Sequence, residues 1–437
     1  MEQEDGGSPQ QQLRQPPDVR LVASLTVAPL DSRTNSQPDS RTDGSDEPRR
    51  PFFSSAQWTA DGTTVVVQSS ENAVSTVVLP SDILESAGGE LRLQPQAITR
   101  LPEPTQAVAV APFFSLAEPV TQSYVAGCRD HPLHLYHAFP SQQNPAPLAT
   151  YKLVRAETEQ FLTPASLLWP SPGSHFVCGS ANRLDYFDLS RPGSDGPILT
   201  LPTIQSRRHV AKGGGVGMKG TVAALADSPA DRHQGSLIAA GTRSRWMGLY
   251  DPQRSKDAVA NWSIAHAGKD LGLDHTGEGI VQLVWTPCGR YLVVNERKSC
   301  HLLVYDIRGT GKLLSALRGR EATTQQRLTC DVYQSQGDTG SEVWAGSQNG
   351  SVVVWEGVGN HHGLVEPSWR WLAHQSPVGS TALHKCGSVV ATCSGAWEHA
   401  SDDALDEFGT GRTVCTSGTT LHESSLKVWC MDTEADA

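Results

Sequence analysis

Long hydrophobic runs, a basic overall charge, paired-cysteine motifs and catalytic signatures are all missing from this 437-residue sequence. No stretch of about 18 consecutive apolar residues occurs, which removes a membrane-spanning helix from consideration. The opening residues Met1, Glu2, Gln3, Glu4 and Asp5 lack the basic start and apolar core of a secretory leader, so a soluble, unsecreted protein is expected. Nine Cys, odd in number and without a C-x-x-C pair, argue against a disulfide frame or structural zinc and for reduced thiols in the cytosol or nucleus. Formal charge is −11, so the whole molecule repels nucleic acid and any such binding must come from a local basic patch.

Catalytic chemistry is equally hard to find. The glycine-rich run Gly213 to Gly220 contains Met218-Lys219-Gly220 where a phosphate loop requires Gly-Lys followed by Ser or Thr at the start of a helix. His131, His134 and His137 are three apart, and on a strand with alternating faces they cannot converge on one metal ion. No nucleophile elbow, metalloprotease helix or paired-carboxylate motif occurs. The chain is therefore expected to act without catalysis, cofactor or metal.

What the sequence does contain is repetition. From Phe52 onward one unit recurs: an apolar strand, a Pro/Asp/Gly turn, a second apolar strand ending in small residues, a polar turn, and a third strand ending in an aromatic. The third strands end at Tyr136, Phe187, Tyr250, Tyr305, Trp355 and Trp429, and a further unit precedes them from Trp58 to Leu79. β-branched and aromatic content and turn chemistry both mark these segments as strands. Spacings of 51, 63, 55, 50 and 74 residues leave room for a fourth strand per unit, so the predicted fold is an all-β, seven-bladed WD40-type propeller over residues 51–430. The longest interval holds an acidic insertion, about 397–424, read as a flexible loop. Residues 1–50, with six Pro, six Ser and six Gln, read as mostly disordered, and 431–437 as a short tail.

The exception in the N-terminal segment is the alternation Val19, Leu21, Ala23, Leu25, Val27. Too little chain follows Trp429 to form the last blade's outer strand, so the stretch near 19–27 is predicted to pair with that open edge and close the ring.

Two strings are specific enough to carry a resemblance. Cys128-Arg129-Asp130-His131-Pro132-Leu133-His134-Leu135-Tyr136-His137-Ala138-Phe139 and Gly319-Arg320-Glu321-Ala322-Thr323-Thr324-Gln325-Gln326-Arg327 are similar to segments of the telomerase Cajal body protein family, of which this chain resembles a fungal member. Phe176-Val177-Cys178-Gly179, Ser190-Arg191-Pro192-Gly193 and Gly248-Leu249-Tyr250 follow in the family's order. Tyr136-His137 stands where the family has Trp-Asp, and the second unit's first strand is only Val108-Ala109-Val110. The resemblance implies a nuclear protein of the Cajal body or an equivalent nuclear body. It would bind small Cajal body-type guide RNAs, with telomerase RNA and ribonucleoprotein proteins as further partners, for their localisation and delivery.

Charge mapped onto the propeller points the same way. Turns between second and third strands, and links from fourth strands to the next blade, open on one upper face. For blades three to six these loops sum to +8 on a chain of −11. Arg129, His131, Arg183, Arg207, Arg208, Lys212, Arg243, Arg245, Trp246, Arg297, Lys298, Arg320 and Arg327 are the candidate RNA-binding residues. Arg suits phosphate through its planar, bidentate geometry, and Trp246 and His131 offer stacking surfaces for unpaired bases. A monomeric scaffold that binds no membrane is expected. The alternative on the same residues is a protein-interaction scaffold associated with pre-mRNA splicing particles, since Arg clusters also take acidic peptides.

Overall fold

The computed structural model describes residues 16–27, 51–84, 89–142, 145–155, 157–193, 195–204, 211, 217–229, 237–273, 276–309, 311–335, 340–396 and 423–431. Insertion residues 397–422, the tail 432–437 and most of the N-terminal segment outside its closing strand lie outside them. The described strands form seven sheets. Blade one comprises Phe53–Trp58, Thr64–Ser69, Ala73–Val78 and Ala97–Arg100, and blade two Thr105–Val110, Ser123–Cys128, Leu133–His137 and Ala149–Tyr151. Blade three comprises Ser166–Leu168, His175–Ser180, Arg183–Asp188 and Leu199–Pro202, and blade four Val222–Asp227, Ile238–Thr242, Trp246–Tyr250 and Ala258–Ser263. Blades five and six start at Ile280–Trp285 and Cys330–Gln334 and end at Leu313–Leu317 and Trp369–Leu372.

Blade seven confirms the predicted closure. Its strands Val378–Leu383, Val389–Ser394 and Ser425–Met431 are completed by Val19–Thr26, antiparallel to the last of them with Leu21 opposite Trp429 and Leu25 opposite Leu426. Val22, Ala23 and Leu25 are buried there. The alternation read in the sequence is interrupted by a bulge between Leu21 and Ala23, which moves Val22 and Ala23 inward together.

Two blades carry a fifth strand that the sequence reading lacks. Leu91–Arg92, from the connection before blade one's last strand, runs parallel to Val19–Thr26, and the Leu93 amide donates to the Ser24 carbonyl at 2.7 Å. Gly363–Val365, from the same position in blade six, runs parallel to blade five's outer strand. Both cover a strand edge that would otherwise present unpaired backbone groups.

The closing aromatics explain themselves in the packing. Tyr136, Phe187, Tyr250, Tyr305, Trp355 and Trp429 are all buried, on faces where blades meet. Phe187 stacks on Phe176 with centroids 5.0 Å apart, and Tyr305 packs against Trp262 of the preceding blade. Blade seven adds a polar chain: the Trp429 indole donates to Thr392 Oγ1 at 2.9 Å, Thr392 Oγ1 lies 2.7 Å from His374 Nε2, and His374 Nδ1 lies 3.1 Å from Glu423. Lys427 completes it with a 2.7 Å ion pair to Glu423. Burial lowers the His374 pKa and keeps the ring neutral. Burial would raise the Glu423 carboxyl, but hydrogen bonds from His374, Lys427, Ser425 and the Gln375 amide outweigh it and hold the pKa far below the usual range.

Candidate functional site

Antiparallel order within each blade puts the turns and links named in the sequence on one end of the ring, and the structure separates their cations by what each one faces. Arg183 opens the third strand of blade three and forks onto Asp185, which is fully buried two residues on. Arg245, in the left-handed region at φ +66° in the turn of blade four, reaches across to blade five. There its Nε donates to Glu296 at 2.6 Å, while Nη2 donates to Glu296, the Ile264 carbonyl and Thr276. Lys298 pairs with Glu278 at 3.0 Å, Arg129 with its neighbour Asp130 at 3.3 Å, and Arg318 with Glu366. Those charges are locally neutralised.

Arg320 is not on the surface at all. Only 3% exposed, it donates Nη2 to Asn295 at 3.1 Å and to the Ser299 carbonyl, while Nε and Nη1 have no partner among the described residues. Burial pushes its pKa down to about 10. It ties the link into blade six onto blade five and is out of reach of a ligand on the face. Trp246 is half-buried as the first residue of its strand and packs against the cluster of Leu184, Met218 and Tyr250, a structural position more than an open stacking platform. His131 is also half-buried, its Nδ1 held 2.9 Å from the Arg129 carbonyl. Arg207, Arg208 and Lys212 lie outside the described residues.

Three candidates remain, and the fold brings them together. Arg243 is exposed in the turn of blade four, Arg297 is half-buried in the turn of blade five, and Arg327 stands in the link entering blade six. Arg297 and Arg327 line the central channel, a cavity of about 820 Å³ walled by the innermost strands. Arg327 is enclosed by protein yet open to channel water. None of the three side chains makes an ion pair or hydrogen bond among the described residues, and Arg297 Nε is buried without a partner. Burial lowers the Arg297 pKa and the charge of Arg243 lowers it further, while Arg327 is lowered by burial and then by Arg297 and Arg243. The three cations are thus close enough to repel one another.

Gly279 explains how the first two turns come so near. At φ +127° the link from blade four passes between them: the Arg297 amide donates to the Gly279 carbonyl at 2.9 Å, and a side chain at 279 would collide with the backbone of Arg243. Asp331 is the one carboxylate among the described residues lining the channel, and its oxygens accept the Val332 and Leu383 amides at 2.8 and 2.7 Å. It is turned to the backbone, and burial raises its pKa to about 6. No group of three or more His, Cys, Asp or Glu that could hold a metal occurs among the described residues.

No protein-family model matches the chain. Individual proteins do. Over 349 residues it is 28% identical to human "Telomerase Cajal body protein 1", the match covering 79% of this chain and 57% of that protein. It is 24% identical over 384 residues to the "Guanine nucleotide-binding protein negative regulator 1" of Schizosaccharomyces pombe, covering 86% of this chain and 88% of the relative. It is also 22% identical over 307 residues to "Protein SWT21" of Vanderwaltozyma polyspora, covering 68% and 66%. The resemblance carried by the two long strings is borne out, and the chain spans a little over half the length of the mammalian relatives it matches.

Proposed function

For a seven-bladed WD40 propeller similar over most of its length to the telomerase Cajal body proteins, we propose a non-catalytic role as a nuclear RNA-binding scaffold. Its ligands are small guide RNAs of the Cajal body class, with telomerase RNA as a further client, and its task is their localisation and delivery. One observation supports this above the others. Arg129, Arg183, Arg245 and Lys298 are neutralised by carboxylates of the fold, whereas Arg297 and Arg327 line the channel, and Arg243 stands in the neighbouring turn, with no carboxylate partner among the described residues. Arg207, Arg208 and Lys212 add positive charge to the same face by sequence. Phosphate capture at such a surface positions an RNA without reading it, and base edges of an unpaired loop supply the specificity.

Crosslinking the full-length endogenous protein in cells and sequencing the attached RNA tests the reading. Enrichment of small nuclear guide RNAs over total nuclear RNA is expected. Recovery of no RNA class above background overturns it and leaves the acidic-peptide scaffold as the better account of the same arginines.

A further inference from the structure

We infer that the mouth of the central channel is a discrete site for one phosphate group, held by Arg243, Arg297 and Arg327. The inference depends on the RNA-binding reading only for the source of that phosphate. Three features carry it. The cations come from three different loops, yet stand together: Arg297 and Arg327 line the channel, and the link through Gly279 holds the turn that carries Arg243 against the turn that carries Arg297. Arg297 presents a buried, unpartnered Nε, a donor whose desolvation nothing among the described residues offsets. The single carboxylate on the described channel wall is occupied by backbone amides, so no anion of that wall competes.

The electrostatics give the site a sign and a purpose. Burial and mutual repulsion both weaken the hold of Arg297 and Arg327 on their protons, so gathering these cations without a counter-charge is a cost to the fold. A tetrahedral dianion or a phosphodiester accepts several N–H donors at once and cancels the repulsion, and guanidinium groups match its oxygens bidentately. A diffuse basic surface would behave differently. It would lose affinity in proportion to any cation removed, whether or not that cation lines the channel.

The test compares the full-length protein with R243Q, R297Q, R327Q and a control pair R191Q/R254Q, which removes two exposed arginines from the turns on the opposite face. Each is titrated with inorganic phosphate at low ionic strength by calorimetry, and melted with and without it. Phosphate should raise the melting temperature of the wild type, and each channel substitution should weaken phosphate binding by at least about tenfold, the loss of a charge-assisted hydrogen bond, while the control is unchanged. Without phosphate, R297Q and R327Q should melt no lower than the wild type, because a repelling cation has gone. R243Q lies on an exposed turn and keeps the test open if a channel variant fails to fold.

No phosphate binding by the wild type, or equal binding by the channel variants, overturns the inference. A second arm repeats the titration with a labelled single-stranded RNA. If RNA affinity falls in the same variants and phosphate competes, the source is the RNA backbone. If phosphate binding depends on the three arginines while RNA binding is unaffected, the site stands with a small free phosphate as its ligand. If RNA fails to bind the wild type at all while phosphate still does, the RNA-binding reading fails and the site survives it.

Discussion

Removing the strand Val19–Thr26 should open the ring, and the cost can be worked from the residues it buries. Val22 and Leu25 are 2% and 8% exposed, and both pack into the cluster shared with Val67, Val77 and Val428 of blades one and seven. Truncating Leu25 to Ala should cost about 2–5 kcal/mol. Losing the buried Val22 side chain should cost about 1.5–3 kcal/mol more, by the usual worth of a buried valine. The double variant V22A/L25A should therefore lose roughly 4–8 kcal/mol, a large part of the roughly 5–15 kcal/mol by which a folded domain normally exceeds its unfolded state. Deleting residues 1–30 should cost at least as much. It removes the same side chains, strips seven register positions from Ser425–Met431, and leaves Leu91–Arg92 without its neighbour. Deleting residues 1–15 removes none of these contacts and should be silent. Urea unfolding followed by tryptophan fluorescence reads the difference, with Trp429 paired directly against the strand. Equal midpoints for the two deletions, or a V22A/L25A variant within about 1 kcal/mol of the wild type, would refute the closure argument.

The upper-face arginines should divide into two classes under substitution. Arg245→Ala leaves Glu296, 1% exposed, as an unpaired buried carboxylate and should destabilise by about 3–5 kcal/mol in denaturant titrations. Arg320→Met replaces a buried cation with incomplete hydrogen bonding by an apolar chain of similar length, and should leave both stability and RNA affinity near wild type. Acid should weaken blade seven in two stages. His374 is held below its ordinary value of 6.5, so its contribution is complete above that pH and is lost as the unfolded chain takes up a proton below it. Glu423 is held below its ordinary value of 4.5 and contributes above it, so a second loss should follow below that pH, and Glu423→Gln should abolish the second stage in pH-dependent melting.

The blades were legible because each one repeats a constraint that shows locally. A third strand that packs against a neighbouring blade needs a large side chain at its end, and Tyr136, Phe187, Tyr250, Tyr305, Trp355 and Trp429 supply it at intervals that only a ring of sheets explains. The closing strand was legible for the complementary reason: an isolated alternation and an unfinished last blade fit one another. Leu91–Arg92 and Gly363–Val365 were not, because two- and three-residue strands carry no periodicity.

The candidate site was legible only as a total. Summing loop charges located the positive face, but whether a cation is free depends in several cases on partners 20 to 51 residues away, such as Glu278 for Lys298 and Glu296 for Arg245. Burial hid Arg320 in the same manner, inside a string that reads as an ordinary polar loop. The sign that could have singled out Arg243 and Arg297 lies in Gly279, a glycine in the link just before an inner strand. Its meaning emerges only when the turns it separates are seen side by side.

Pairing Val19–Thr26 with Ser425–Met431 has a consequence for how the chain is made. Leu21 waits about 400 residues for Trp429, and at roughly 5–20 residues per second of synthesis that is on the order of 20–80 seconds during which the first strand lacks its antiparallel partner. Throughout that interval the edge that Ser425–Met431 will cover is bare, with only the short pairing to Leu91–Arg92 on offer at the other, while six blades can already condense around a missing seventh. The last step of folding is then a joining of the two ends of the described chain, and its slowness is set by loop closure, not by any local preference for strand. Production of this protein should therefore depend on a folding chamber or holdase that shelters the early strand until the late one emerges.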